Sequence, residues 1–235
     1  MFFSGDKIKA KKQFYSLIDL SKGQERFKLD WKEKHLCFGE NTSSTAFDYH
    51  YVYHPAWAIR IVKKINPEFH VDISSTLHFC SALSAFIPVK FFDFRPANLI
   101  LPDLTSEAAD LTNLHFRDNS IKSLSCMHTV EHIGLGRYGD PLDYNGDLKA
   151  INELKRVLAS GGDLLFVVPI GKPRIQFNAH RIYSYRQVVE YFSGLRLEEF
   201  SLIPDNPEHG IIYNAAEEIS DKQNYGCGCF WFKKP

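Results

Sequence analysis

The 235-residue sequence predicts an α/β fold: a mostly parallel sheet with a C-terminal antiparallel strand. Three observations carry the prediction. From Pro55 onward, short apolar runs alternate with segments of helical period. The run 164–169 is continuously apolar, as in a strand buried on both faces. A helix with one apolar face separates it from the preceding strand, which is the order of a parallel crossover. Residues 1–50 are assigned to an N-terminal arm or lid, with short helical pieces up to about residue 45, and 51–235 to the sheet domain.

In chain order, Ala56, Ile59, Ile61, Val62 and Ile65 lie mainly on one helical face, and Asn66-Pro67 stops that helix. A strand at 69–73, a polar loop at 74–76, a helix around 79–86 ended by Pro88, and a strand at 89–94 make a β-α-β unit. A short strand is expected within 98–104 and a clear one at 123–128. The helix 147–158 presents Leu148, Ile151, Leu154, Val157 and Leu158 on one face, and Gly161-Gly162 is read as its stop. Ser184 is a plausible N-cap for a helix through Phe192, and strands at 197–203 and 227–232 follow. If those two pair antiparallel, the insert 204–225 is long for a hairpin and marks a functional excursion.

Composition removes several function classes. The 28 basic and 28 acidic residues cancel, so no bulk charge draws the chain to nucleic acid or an anionic membrane. The longest apolar run, 164–168, is far short of the ~20 residues that span a bilayer, and the N-terminus lacks a signal peptide's apolar core. A soluble, cytoplasmic protein with a small-molecule substrate is expected, with homo-oligomerisation left open. Five cysteines without a two-residue spacing argue against a disulfide framework, and Cys227 and Cys229 read as strand cysteines rather than metal ligands.

In an open parallel sheet, ligands bind beyond the carboxyl ends of the strands. Asp93 stands where a nucleotide-binding sheet places an acid for ribose hydroxyls, and Asp110 could accept from an adenine amine; each could equally be a turn or cap acid. Between 128 and 145 lies a dense polar set: His128, Glu131, His132, Arg137, Tyr138, Asp140, Asp143 and Asn145, interleaved with Gly134, Gly136 and Gly139. The glycines suggest a shaped loop whose backbone comes close to something. His128, at a strand tip, could serve as general base toward a hydroxyl, while Glu131 and His132 either join it or buttress the loop. His128-Thr-Val-Glu131-His132 also fits the inverted zinc-hydrolase pattern H-x-x-E-H. That reading needs a continuous helix and a third ligand, neither of which the sequence offers, so no metal is assigned. Further on, Arg174 and Arg181 could grip a phosphate or carboxylate, and Asn178 and His180 could read hydroxyls; Arg181 could instead cap a loop.

The stretch 110–169 resembles the class I S-adenosylmethionine-dependent methyltransferases, which have a Rossmann-like fold. Asp110, LHFRDNS, TVEHI, and ELKRVLASGG followed by FVVP stand where that family has its acid, its LPF-DNSFD turn, its LEH-type helix, and its E-x-x-R-V-L-x-P-G-G helix end and strand. More narrowly, HTVEHIGLGRYGDP, DLKAINELKRVL and FNAHRIYS resemble the methyltransferase-like domain of unknown function 268. The resemblance implies S-adenosylmethionine as cofactor, held by Asp72, Ser74, Ser75, Asp93 and Asp110. From position and side-chain chemistry, His128, Glu131 and His132 are the candidate catalytic residues, and Arg137, Tyr138, Asp140, Asn178, His180 and Arg181 the candidate substrate-binding ones. One departure counts against the resemblance. The family's Gly-x-Gly-x-Gly loop is here Ser74-Ser75-Thr76, with no glycine. Two readings follow: a methyltransferase acting on a small polar, sugar-type acceptor, or a fold relative that has lost the donor and serves a binding or other catalytic role in carbohydrate (surface polysaccharide) metabolism.

Overall fold

The computed structural model describes residues 4–24 and 26–235. The chain divides into a unit ending at Phe47 and a unit running from Asp48 to Pro235. In the first, α1 (Ser4–Ser21) is one helix of 18 residues rather than short pieces. Its residues are mostly charged or long-chained helix formers with no sustained apolar stripe, so propensity rather than periodicity makes it. Phe14 packs edge-on against Trp31 at 5.1 Å between ring centroids. Residues 1–3 and 25 of the expected arm lie outside the described residues.

The second unit is built on an eight-stranded sheet in the order β3-β2-β1-β4-β5-β10-β8-β9. Its strands are β1 (His70–Ile73), β2 (Val89–Asp93), β3 (Leu104–Ala108), β4 (Ile121–Met127), β5 (Leu158–Ile170), β8 (Arg196–Ile203), β9 (Ile212–Tyr213) and β10 (Gly226–Lys233). The first five are parallel; β10 runs antiparallel to both β5 and β8. A separate hairpin, β6 (Arg174–Gln176) with β7 (His180–Ile182), follows β5. The helices are α2 (Tyr49–Ile65), α3 (Leu77–Leu83), α4 (Gly146–Val157), α5 (Tyr185–Tyr191) and α6 (Glu217–Ser220).

The core explains the apolar run. Leu164, Phe166 and Val168 of β5 join one buried cluster with Ile151, Leu154 and Val157 of α4 and Val188 of α5. Leu165 and Val167 join another with Trp57 and Ile61 of α2 and Phe79 and Leu83 of α3. Alternate residues thus enter opposite layers, so every position of the 164–168 run is apolar. Strand β10 does the same, sending Phe230 and Phe232 one way and Cys227, Cys229 and Trp231 the other.

The E-x-x-R motif is a clamp. Glu153 accepts from the backbone N–H of Leu114, and Arg156 donates to the carbonyls of Leu114 and Phe116 and pairs with Asp118. Helix α4 thereby fixes the 114–118 turn that feeds β4.

Four local expectations need correction. Helix α2 starts at Tyr49, where the Asp48 carboxylate accepts from the N–H of Tyr51, and Pro55 lies inside it; the aromatic first turns mask the apolar period. Helix α3 is shorter than read, ending at Leu83. The third strand is 104–108 and not 98–104; as an edge strand it is largely exposed and polar, so no apolar run marks it. Gly161-Gly162 does not stop α4. Leu158 is already extended, and both glycines lie within β5, where its register with β4 shifts. The end of α4 is capped instead by the Lys234 ammonium, which donates to the carbonyls of Lys155 and Leu158.

Phe166 packs edge-on against Phe192 at 4.7 Å and is 1% exposed. Phe166→Ala is expected to cost ~3–5 kcal/mol in a urea denaturation experiment. A loss under ~1 kcal/mol would place the centre of the core elsewhere.

Candidate functional site

Beyond the carboxyl ends of the parallel strands lies a cavity of about 920 Å³, large enough for a cofactor with a small partner. Sheet order sets its layout. Asp110 follows β3, Asp93 ends β2, Ser74 follows β1, His128 follows β4, and the β6–β7 hairpin follows β5. Because β10 is antiparallel, its first residues, Gly226 and Cys227, pair with Ile170 and Pro169 at the same edge.

The chains leaving β1 and β4 diverge at the centre of this edge, and both turn through a left-handed residue: Ser74 at φ 58° and His128 at φ 54°. A serine in this region costs roughly 1–2 kcal/mol that a glycine would not. Bonds between the two turns hold it. Ser74 N–H donates to the Phe92 carbonyl at 2.7 Å, Thr129 Oγ1 donates to the Ser74 carbonyl at 2.8 Å, and Met127 N–H donates to Ser75 Oγ at 3.0 Å. Below them Asp72 is fully buried, accepting from Ser75 N–H and from Ser125 Oγ. His70 Nε2 donates to Ser125 Oγ, and its Nδ1 accepts from Ser123 Oγ. Burial pushes the Asp72 carboxyl up to about 6 and the His70 imidazole down to about 3.

On the β4 side stands a cluster of imidazoles and carboxylates. His128 Nδ1 donates to Glu131 Oε1 at 2.9 Å, and His128 Nε2 lies 3.4 Å from Cys227 Sγ. The rings of His50, Tyr51 and His54 on α2 sit 5.4, 5.3 and 5.1 Å from that of His128. Glu131 is fully buried. Burial raises its carboxyl, but the hydrogen bond and charge of His128, with the charge of His132, outweigh this and hold it below the usual carboxylate range. Its Oε2 has no partner. Burial lowers His50 to about 4 and raises Tyr225 to about 12. His132 Nδ1 donates to the Ala179 carbonyl at 2.6 Å, which Arg137 also reaches at 3.0 Å.

The glycine loop is held by its own backbone. Asp140 Oδ2 accepts from the N–H groups of Gly134 and Gly136, and Asp143 N–H donates to the Gly134 carbonyl. A side chain at Gly134, whose φ is 81°, would meet the Asp143 carbonyl at 2.1 Å. Behind it Arg181, 5% exposed, donates to the carbonyls of Ile133, Asp143 and Tyr144 and pairs with Asp147.

The structure brings Ser74, Ser75, Asp93 and Asp110 into one cavity with His128, Glu131, His132, Arg137, Tyr138, Asp140, Asn178 and His180. It leaves two of the predicted residues behind the wall. Asp72 supports the β1 turn, and Arg181 spends its donors on backbone carbonyls. Arg174, also read as a possible anion grip, bonds to Lys172 and Asn224. Asp93 and Asp110 line the cavity while accepting from the N–H groups of Arg95 and Thr112. TVEHI forms one 3-10 turn, Val130–His132, and not the helix that a family LEH motif or H-x-x-E-H would need. Sequence reading missed Tyr51 and Tyr225, which line the cavity, and His50 and Cys227 beside His128. The one signal was the long insert 204–225, whose Asp205 accepts from the N–H groups of Asn224 and Tyr225 and so delivers Tyr225 against His50 and His180.

Residues 108–210 match the family model described as Caenorhabditis protein of unknown function, DUF268. No curated protein matches the sequence. Solved structures share the fold. A candidate methyltransferase from Bacillus halodurans superposes with a TM-score of 0.54 at 16% identity, over 77% of this chain and 98% of its own. A TehB-like SAM-dependent methyltransferase from Corynebacterium glutamicum gives 0.51 at 16%, over 78% and 89%. The [4+2]-cyclase SpnF gives 0.53 at 12%, over 77% and 81%. The chain thus has the Rossmann-like fold of class I S-adenosylmethionine-dependent methyltransferases.

Gly134→Ala is expected to cost ~2–4 kcal/mol of stability in chemical denaturation, combining a clash with a strained φ. Gly139→Ala, with open space around it, is expected to cost only ~1–2 kcal/mol. Equal losses would contradict the close approach.

Buried neutral histidines set the acid limit of the fold. His50 and His70, with His54 also held well below the usual histidine range by burial, bind protons near pH 6.5 when unfolded and not when folded. The unfolded state therefore takes up more protons on acidification, and stability falls as pH drops from about 6.5 toward about 4. Asp72 acts in the opposite sense between about 6 and 3.8, where the folded carboxyl holds a proton that the unfolded one has lost. Three groups outweigh one, so the thermal midpoint should fall steadily over this window. A midpoint independent of pH would refute the assignment.

Proposed function

We propose that this methyltransferase-fold chain binds S-adenosylmethionine near Ser74, Asp93 and Asp110 and transfers its methyl group to a small polar acceptor. The acceptor is a hydroxyl compound of sugar type, held by Arg137, Tyr138, Asn178 and His180. One observation carries the reading. The ends of β3, β2, β1 and β4 open into a single cavity, so a donor on the acidic side and an acceptor on the histidine side can meet in line. The missing glycines weigh less than their absence suggests, because Ser74 already follows the left-handed path a glycine would take.

Held there, S-adenosylmethionine would supply an electrophilic methyl group to the acceptor oxygen and depart as the thioether, and the hydroxyl proton would pass to a histidine nitrogen. Two histidines are candidates: Nδ1–H is engaged by Glu131 in His128 and by the Ala179 carbonyl in His132, so Nε2 is the lone-pair nitrogen of each, with Cys227 Sγ 3.4 Å from that of His128 and Glu131 Oε1 3.8 Å from that of His132. Arg95 and Arg137 lie over the Tyr138 ring at 4.6 and 5.1 Å, placing cationic groups beside a polar ligand.

A second reading is favoured by one feature. The Ser74 hydroxyl donates to the Phe92 carbonyl and the Ser75 hydroxyl accepts from the Met127 N–H, so each already has a partner within the protein. In this reading the chain keeps the fold and the acceptor side, without the donor, for binding or other catalysis in carbohydrate metabolism. That SpnF is a [4+2]-cyclase agrees with this fold hosting other chemistry.

Calorimetric titration with S-adenosylmethionine and with S-adenosylhomocysteine separates the two. Binding is expected, and Asp93→Ala should weaken it by ~1.5–3 kcal/mol, roughly 10- to 100-fold in Kd. No heat and no thermal shift at millimolar ligand would remove the first reading and leave the second.

A further inference from the structure

We propose that His50, His128 and Cys227 form a binding site for a zinc-class divalent cation at the histidine side of the cleft. Their ligand atoms all lie within 4.8 Å of one another, although they come from α2, the β4 turn and β10. Three distant segments converge, so the grouping is a product of the fold and not of a local motif.

One pair of the three already has the spacing of a tetrahedral cation's ligands, and the stacked His50 ring would turn to complete the set. Zinc bonds sulfur at about 2.3 Å and imidazole nitrogen at about 2.0–2.1 Å, which at the tetrahedral angle sets the two ligand atoms roughly 3.5 Å apart. Cys227 Sγ and His128 Nε2 are 3.4 Å apart. A cation bound there would take the place of the thiol proton, which leaves to solvent, and the thiolate would supply the charge.

The surroundings are those of a ligating histidine. His128 donates its other ring nitrogen to Glu131, a carboxylate–histidine arrangement that fixes the tautomer and turns Nε2 toward the cation. Glu131 is fully buried with Oε2 unpartnered, a negative charge whose compensation is incomplete in the protein alone. Three protein ligands leave a fourth position, and His128 lines the cleft. A hydroxyl taking that position would have its pKa lowered. In the cation-loaded protein His128 is then a ligand, and the hydroxyl proton would pass to His132.

The test uses chelator-stripped full-length protein titrated with Co²⁺ and with Zn²⁺. One equivalent should bind, and Co²⁺ should give the near-ultraviolet thiolate-to-cobalt charge-transfer band. Cys227→Ser should abolish the band. His50→Ala, at a partly buried position outside the apolar core clusters, should weaken Co²⁺ binding by at least ~10-fold, and Glu131→Gln by ~10- to 100-fold. Far-ultraviolet circular dichroism of each variant establishes that it is folded. Absence of the charge-transfer band in the parent protein, or cation binding unchanged in folded His50→Ala, would overturn the site. None of these readouts involves the methyl donor, so failure of either proposal leaves the other standing.

Discussion

Strands β1 and β4 are adjacent and parallel, yet the chain arriving from each must go a different way, and the cleft exists because their two turns part. Such a parting would be a weak point if the turns were held only by their own strands. Here they are laced to one another: the Thr129 hydroxyl to the Ser74 carbonyl, the Met127 N–H to the Ser75 hydroxyl, and beneath them the buried run from Asp72 through Ser125 and His70 to Ser123. Each polar group in that run has a partner, which is the condition for keeping a buried carboxyl and imidazole in a sheet core. The lacing lets two non-glycine residues stay left-handed. It also explains why Ser74 and Ser75 can stand where a glycine loop is expected.

The two sides of the opening are then fixed by different means. On the side of β1 to β3, backbone turns capped by Asp93 and Asp110 define the wall. On the side of β4, β5 and β10, a long loop is shaped by close approach at Gly134 and backed by the Arg181 guanidinium. That guanidinium satisfies carbonyls from both ends of the loop while Asp147 balances its charge. A buried arginine bonded to several carbonyls cannot be exchanged for lysine without stranding acceptors. Arg181 therefore belongs to the architecture of the loop rather than to ligand capture, even though its segment also carries Asn178 and His180 into the cavity.

Sequence patterning revealed those parts of the fold whose cause is local or periodic. Strand β5 was legible because burial on two faces removes every polar residue, and α4 because one face packs and the other does not. The E-x-x-R clamp was legible as a motif because its partners lie in a neighbouring turn of fixed spacing. The edge strand β3 was hidden because an edge must be polar, and the first turns of α2 because aromatic residues there face a site and not the core. Gly161-Gly162 misled: the same residues that end a helix also permit a bulge, and the capping cation, Lys234, lies more than seventy positions away. In the candidate site, the strand-end acids and the 128–145 cluster could be read from position. His50, Tyr51, Tyr225 and Cys227 could not, since only the antiparallel return of β10 and the tether at Asp205 bring them to His128.

That convergence bears on where the specific chemistry of the chain resides. A donor wall made of backbone turns depends on path and tolerates changes of side chain, provided the path is kept. A reaction centre made of imidazole, carboxylate and thiol depends on identity, and every such group here comes from α2, the β4 turn, the hairpin after β5, or β10. An unpartnered carboxylate oxygen is unfavourable in a buried corner, and nothing in the packing of the sheet requires Glu131 to stand behind His128 with His50 and Cys227 gathered around it. Their joint presence is more economically explained by a ligand of the cluster than by separate accidents of packing. The physical argument for function therefore rests more heavily on the side of the cleft that the fold does not dictate.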